Sequence, residues 1–150
     1  MLRLITFGGV GIRGEGTGGT PATEPAVSRR ALALLVLVAG AGATGISRDK
    51  VLALLWPEGD GERSRNALRQ SLHTLRHELH APDLLLGSDQ LRLNPAVITS
   101  DLGEFDQARA AGRGEDAVAR YAGPFLDGFH VGGAPEFERW VEEIRSARGR

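Results

Sequence analysis

Three observations predict an α+β fold for this chain of 150 residues. Residues 2–13 alternate like two strands around Gly8-Gly9. Three stretches between residues 28 and 80 then carry apolar side chains at helical spacing. Last, the leucine runs 84–86 and 91–93 flank the polar tip Gly87-Ser88-Asp89-Gln90, as the strands of a hairpin do. Strands, three helices and a hairpin, in that order, is the arrangement of a winged helix-turn-helix. The remainder of the chain, from Asp101 on, reads as an all-α, TPR-like segment, so residues 1–100 and 101–150 are expected to form two units.

The first strand, Leu2–Phe7, places Leu2, Leu4 and less strictly Thr6 on one face. After the Gly8-Gly9 turn, Val10–Arg13 is the returning strand. Gly14–Pro25, rich in Gly, Thr and Pro, reads as a loop. Ser28 can cap a helix running to about Ala41 whose sides are almost all apolar, so that helix is expected in the core. Ser47 caps the next helix, Arg48–Trp56, with Asp49 near its positive end. Its buried side is expected to hold Val51, Leu52, Leu54 and Leu55, and Pro57 stops it.

After the loop 57–61 comes the most informative segment, residues 60–80. Leu68, Leu72, Leu75 and Leu79 fall at spacings of four, three and four, which is one stripe of an α-helix with Asp60 as its cap. The opposite side holds Arg63, Asn66, Gln70, His73, Thr74 and His77, and Arg65, Arg69 and Arg76 line a shoulder. Guanidinium, carboxamide, imidazole and hydroxyl groups bond phosphates and base edges, so such a face suits a DNA major groove. A solvated surface helix would carry the same residues, and spacing alone leaves both readings open.

Beyond the hairpin, Val97–Thr99 either adds a strand or leads the chain out. Leu102, Phe105 and Ala108 share one helical face. Glu115–Tyr121 reads as a second helix, Phe125–Gly133 as irregular, and Pro135–Arg148 as a third helix with Phe137, Trp140, Val141 and Ile144 inward. The spacing shows no true repeat, although such helical pairs can stack as solenoid units.

Composition narrows the function classes. There is no cysteine, so disulfide and thiolate chemistry are excluded, in keeping with a cytoplasmic protein. Residues 1–80 carry 10 Lys/Arg against 7 Asp/Glu, and residues 81–150 carry 8 against 12, so a front of +3 joins a back of −4. Two surfaces with different partners are expected, and the acidic tail is read as packing on the front unit while offering a face to RNA polymerase or another subunit. Ser28-Arg29-Arg30 before an apolar run has the outline of a twin-arginine signal, but Phe-Leu-Lys does not come next and strands precede it. The nine apolar residues 31–39 are too few to span a membrane, so no membrane association is expected.

Several segments resemble the SARP-type bacterial transcriptional regulators. They are Leu2–Phe7 with its Gly-Gly, the run from Arg29 to Leu35, the run from Ser47 to Trp56-Pro57, the run from Ala67 to Leu79, residues 121–129 (YAGPFLDGF), and Glu136 to Trp140. The resemblance covers nearly the whole chain, and the order of these leucine-rich motifs is more specific than any one of them. It implies an OmpR-like winged-helix DNA-binding domain joined to a bacterial transcriptional activation domain, here partial because the family has a longer helical array. It also implies sequence-specific regulation of transcription, with helix 60–80 in the major groove of double-stranded DNA. On matching positions Asn66, Arg69, Gln70 and His73 become base readers, and Arg63, Arg65, Arg76 and His77 phosphate ligands. Arg48 and Lys50, at the start of the preceding helix, join the phosphate set. Binding as a homodimer on direct repeats is a further implication. One departure is the wing tip, which has neither Lys nor Arg; Arg92 is the hairpin's only cation. A protein-interaction module with a winged helix that no longer binds DNA is the rival reading.

Other constellations fail. Gly9-Val-Gly11-Ile-Arg-Gly14 spells G-x-G-x-x-G, but no helix is expected to open there, so it reads as a hairpin turn and not a dinucleotide site. His73, His77 and His80 lack a carboxylate or further His to complete a metal shell. The acidic pairs Glu142-Glu143 and Glu115-Asp116 are adjacent and diverge on a helix, so they form no acid/base pair. Neither an enzyme nor a cofactor is expected.

Overall fold

Strand β1 (Leu2–Ile5) pairs antiparallel with β2 (Gly11–Gly14), in register Leu4↔Ile12, through the turn at Gly8-Gly9. The second half of the G-x-G-x-x-G string is therefore strand β2, not the mouth of a helix. These elements come from a computed structural model that describes residues 2–14, 28–57, 61–112, 114, 125–126 and 128–148. The expected loop beyond Gly14, the Asp60 cap and the expected helix Glu115–Tyr121 lie outside the described residues.

Helix α1 (Arg29–Ala41) begins where Ser28 accepts a hydrogen bond from the Ala31 amide. Ala31 and every residue from Ala33 to Ala39 are buried, as expected for a helix apolar on all sides. Each fully buried Leu or Val of this kind contributes about 1.5–3 kcal/mol over an exposed one. A 3-10 turn (Gly42–Thr44) comes next, then β3 (Ile46–Ser47), a short strand the alternation of residues does not announce. Helix α2 (Arg48–Leu55) starts at the Ser47 cap and stops one residue before Trp56, whose amide still bonds the Leu52 carbonyl. Only Val51 and Leu55 of its four expected inner residues are buried; Leu52 and Leu54 are not, because the helix is eight residues long and leans on its neighbours by one edge.

Helix α3 spans Gly61–Glu78, and the hairpin β4 (Leu85–Leu86) and β5 (Gln90–Leu93) comes after it. The tip is one residue shorter than the sequence suggests, since Gln90 joins β5 and pairs with Ser47. Strand β3 adds to the hairpin in the order β3-β5-β4. Strand β6 (Ile98–Ser100) is not an exit segment. It pairs parallel with β1, giving a second sheet in the order β2-β1-β6.

Ser100 caps helix α4 (Asp101–Ala110), which buries Leu102, Phe105 and Ala108 as its spacing predicts. Farther along, Phe125 forms a bridge with Phe7, and α5 (Pro135–Arg148) is the last described helix. Helix α5 packs on α2 with Phe137 and Val141 buried and Trp140 and Ile144 half-buried. Arg145 holds its end down by donating to the Phe125 and Leu126 carbonyls. One buried cluster runs from Leu4 through α1 and α3 to Val141. The tail therefore shares a core with the front of the chain.

Candidate nucleic-acid interface

Helix α3 is long and mostly polar, and its leucine stripe alone anchors it. Leu68, Leu72 and Leu75 are at most 2% exposed, and Leu79 just beyond the helix is 8% exposed. Ser64 joins the buried side one turn earlier and donates weakly to the Trp56 carbonyl. The C-terminus is closed by a Schellman arrangement, in which the Ala81 amide bonds the Arg76 carbonyl and the His80 amide bonds the His77 carbonyl. His80 takes φ 50°, the left-handed position usually given to Gly. The helix so ends two residues before the expected His80.

The side away from the stripe is exposed at every expected position: Arg63, Asn66, Arg69, Gln70, His73, Thr74 and His77. Arg65 is exposed beside them. Four arginines against Glu62 and Glu78 give α3 a net charge of +2 with neutral histidines. Two pairs on this face organise themselves. Arg69 Nη2 donates to Asn66 Oδ1 at 2.6 Å, and the rings of His73 and His77 stack at 6.2 Å and 12°. Arg76 differs from the other arginines. It is half-buried, and its Nε is buried without a hydrogen-bond partner. Its lower stem therefore belongs to the packing, and its charge lies beside rather than on the exposed face.

The predicted residues of α2 sit close by. Lys50 is exposed, with its amide turned back to the Ser47 hydroxyl. Arg48 is half-buried and fastens the hairpin tip: its amide donates to the Asp89 carbonyl at 3.0 Å and its Nε to the Ser88 carbonyl. A recess of about 310 Å³ opens between α2, α3 and this tip, and Arg48, Arg65, Arg69, Asp49 and Asp89 line it. Three of the predicted cations thus converge on one hollow. Of the two aspartates opposing them there, Asp49 sits beside Arg48 in the first turn of α2, whereas Asp89 is a residue that helical spacing had no means of finding, because the hairpin tip meets α2 only after folding. Asn66, Gln70, His73 and His77 do not line the recess but lie along the open face of α3.

Among the described residues no group of three or more His, Cys, Asp or Glu could hold a metal ion. None of the described helices is long and apolar enough to cross a membrane.

The architecture is thus an α+β arrangement of two three-stranded sheets and five described helices, presenting one amphipathic helix with a basic outer face. Its fold is similar to that of Mycobacterium tuberculosis EmbR, solved in complex with a low affinity phosphopeptide: the TM-score is 0.64 at 24% sequence identity. The likeness covers 97% of this chain and 41% of EmbR, so the chain spans less than half of EmbR's length, and it is a likeness of fold. No protein-family model matches the chain, and no characterised protein matches it by sequence.

Proposed function

We propose that this chain is a sequence-specific, DNA-binding regulator of transcription of the winged-helix type, with α3 as the helix that enters the major groove. The observation that carries the reading is the sidedness of α3: a buried leucine stripe backs a continuous exposed row of Arg63, Asn66, Arg69, Gln70, His73 and His77. A groove-reading helix needs both halves of that arrangement, one to hold it rigidly and one to reach bases.

In this reading Asn66, Arg69, Gln70 and His73 meet base edges, Arg69 as a fork for guanine and Gln70 or Asn66 as a bidentate partner for adenine. Arg48, Lys50, Arg63, Arg65, Arg76 and His77 meet phosphates and set register and salt dependence. The Arg69–Asn66 hydrogen bond pre-orients the guanidinium in the free protein. Residues 1–100 are the DNA-binding unit and 101–150 part of an activation domain, whose acidic surface would face RNA polymerase. The protein is taken to work in the cytoplasm without enzymatic activity, as a homodimer on direct repeats. The EmbR-like fold agrees with a regulator of this type.

Selection of bound sequences from a random DNA pool, followed by titration of the retained sites across salt, tests the reading. One enriched motif with affinity falling steeply as salt rises is the expected outcome. Absence of binding by folded protein would sink it. A second reading, an interaction module without DNA affinity, is favoured by one feature: the wing tip Gly87–Asp89 carries an aspartate and no cation. Salt-insensitive capture of a protein partner by a chain that ignores DNA would select that reading.

A further inference from the structure

We infer that the groove between the hairpin and helix α4 is a binding site for a small anionic amphiphile, an apolar body carrying one carboxylate. The groove has a volume of about 370 Å³, in the lower part of the range of about 300–1,000 Å³ for small-molecule sites. Four elements wall it: the end of α1 with the 3-10 turn, strands β4 and β5, strand β6, and the first turns of α4. It lies away from the basic face of α3, and no residue of α3 lines it.

Its lining dictates the ligand. Val38, Leu86, Leu93 and Ile98 supply an apolar floor, and the small residues Gly42 and Ala43 leave room at one end. Two charged side chains reach it, Arg92 and Glu104. Glu104 is already neutralised: Arg3 Nη1 and Nη2 donate to its two oxygens, each at 2.7 Å. Arg92 is exposed on β5, where its backbone pairs with Leu86, and its side chain has no hydrogen-bond or ion-pair partner among the described residues. The unmatched charge of the groove is therefore a guanidinium, whose planar fork suits a carboxylate. A neutral apolar ligand would gain nothing from that charge, and a cationic one would be repelled by it.

The same geometry accounts for the place of Arg92, the one cation of the hairpin. It lies at the groove with Leu86 and Leu93, and not at the tip beside Arg48.

Decanoate, decan-1-ol and decyltrimethylammonium serve as probes, titrated into the ¹⁵N-labelled full chain and followed by amide chemical shifts. Decanoate is expected to move the amides of Gly42, Ala43 and Gly103 and to saturate below about 1 mM. The alcohol should bind at least about tenfold more weakly and the ammonium compound weaker still. Arg92→Gln should erase the preference for decanoate over decanol. Ala43→Trp, at an exposed position at the groove's end, should block all three while circular dichroism stays unchanged; it carries the test if the Arg92 variant melts early. Equal binding of the three probes, shifts scattered outside the groove, or no shifts from folded protein at about 1 mM decanoate would each overturn the inference.

Discussion

The carboxylate of Asp101 holds Thr6 from across 95 residues of chain, its Oδ1 accepting from the Thr6 amide at 2.9 Å and from the Thr6 hydroxyl at 2.6 Å. Its Oδ2 also accepts from the Phe7 amide at 3.0 Å. Both side chains are buried, Thr6 at 0% and Asp101 at 5% exposure. This clasp ties the end of β1 to the first turn of α4, where a negative charge is favoured by the helix dipole. It joins the front sheet to the tail more firmly than a surface ion pair could.

Asp101→Ala would strand the buried amides of Thr6 and Phe7 and the Thr6 hydroxyl without an acceptor. A loss of about 2–4 kcal/mol is expected, since each unsatisfied buried group costs about 1–3 kcal/mol and partial relaxation recovers some of it. Asp101→Asn keeps one acceptor and turns an N–H toward a donor, so it should lose less than the alanine variant. Urea unfolding of the three proteins checks the order. An alanine variant as stable as the parent would show that water replaces the clasp.

Gly40 lies under the indole of Trp140, where an added Cβ would come within 2.8 Å of Cζ2. Gly40→Val should therefore push α5 off α1 and destabilise by about 1–3 kcal/mol, the usual cost of overpacking, even though valine suits a helix better than glycine. The displacement should also change tryptophan fluorescence. An unchanged melting temperature would mean that the indole swings aside freely.

The hairpin tip depends on Gly87. It sits at φ +91°, and a Cβ there would be 1.9 Å from the Gln90 carbonyl oxygen. Gly87→Ala should open the tip at a cost above about 1 kcal/mol and release Arg48 from the Ser88 and Asp89 carbonyls. Hydrogen exchange checks this at one atom: the Arg48 amide should lose protection while the amides of α1 keep theirs.

On α3 the exposed positions separate chemistry from folding. Arg69→Ala and Gln70→Ala, singly or together, should leave helicity intact and stability within about 0.5 kcal/mol of the parent. Each should cost about 1–3 kcal/mol on the selected DNA site and relax preference at one base position. Arg63→Ala should instead weaken all sequences alike and lower the salt slope by about one unit. Loss of helicity in the Arg69/Gln70 pair would return those residues to a structural role.

Much of the fold is legible in local pattern. Ser28, Ser47 and the leucines of α3 act through neighbours within four residues, so caps and stripes appear in the sequence as they do in space. The limits of α5 agree with its pattern to the residue. The hairpin tip and α2 each depart from their pattern by one residue, because a strand gained from outside, β3, draws Gln90 into the sheet, and because Trp56, the residue before Pro57, leaves helical geometry at φ −132° and ψ 57°.

The candidate interface is legible in part. That Arg63, Asn66, Gln70 and His73 share an exposed face comes from 100° per residue along one helix. That Arg48 grips the hairpin tip, and shares a recess with Arg65, Arg69 and Asp89, comes from no such rule. The α2, α3 and hairpin-tip residues of that recess are far apart in the chain, and no short-range periodicity links them.

By itself the sequence determined what local physics controls: which segments coil, which side each helix buries, and which helix shows a polar, basic face. Tertiary structure alone decided the parallel pairing of β1 with β6, the Asp101–Thr6 clasp, the seating of Trp140 on Gly40 and the groove that Arg92 overlooks. The division has one cause. Helix periodicity and capping act over a few residues and leave a regular trace, whereas pairing and burial between distant segments depend on which of many possible partners wins the shared core.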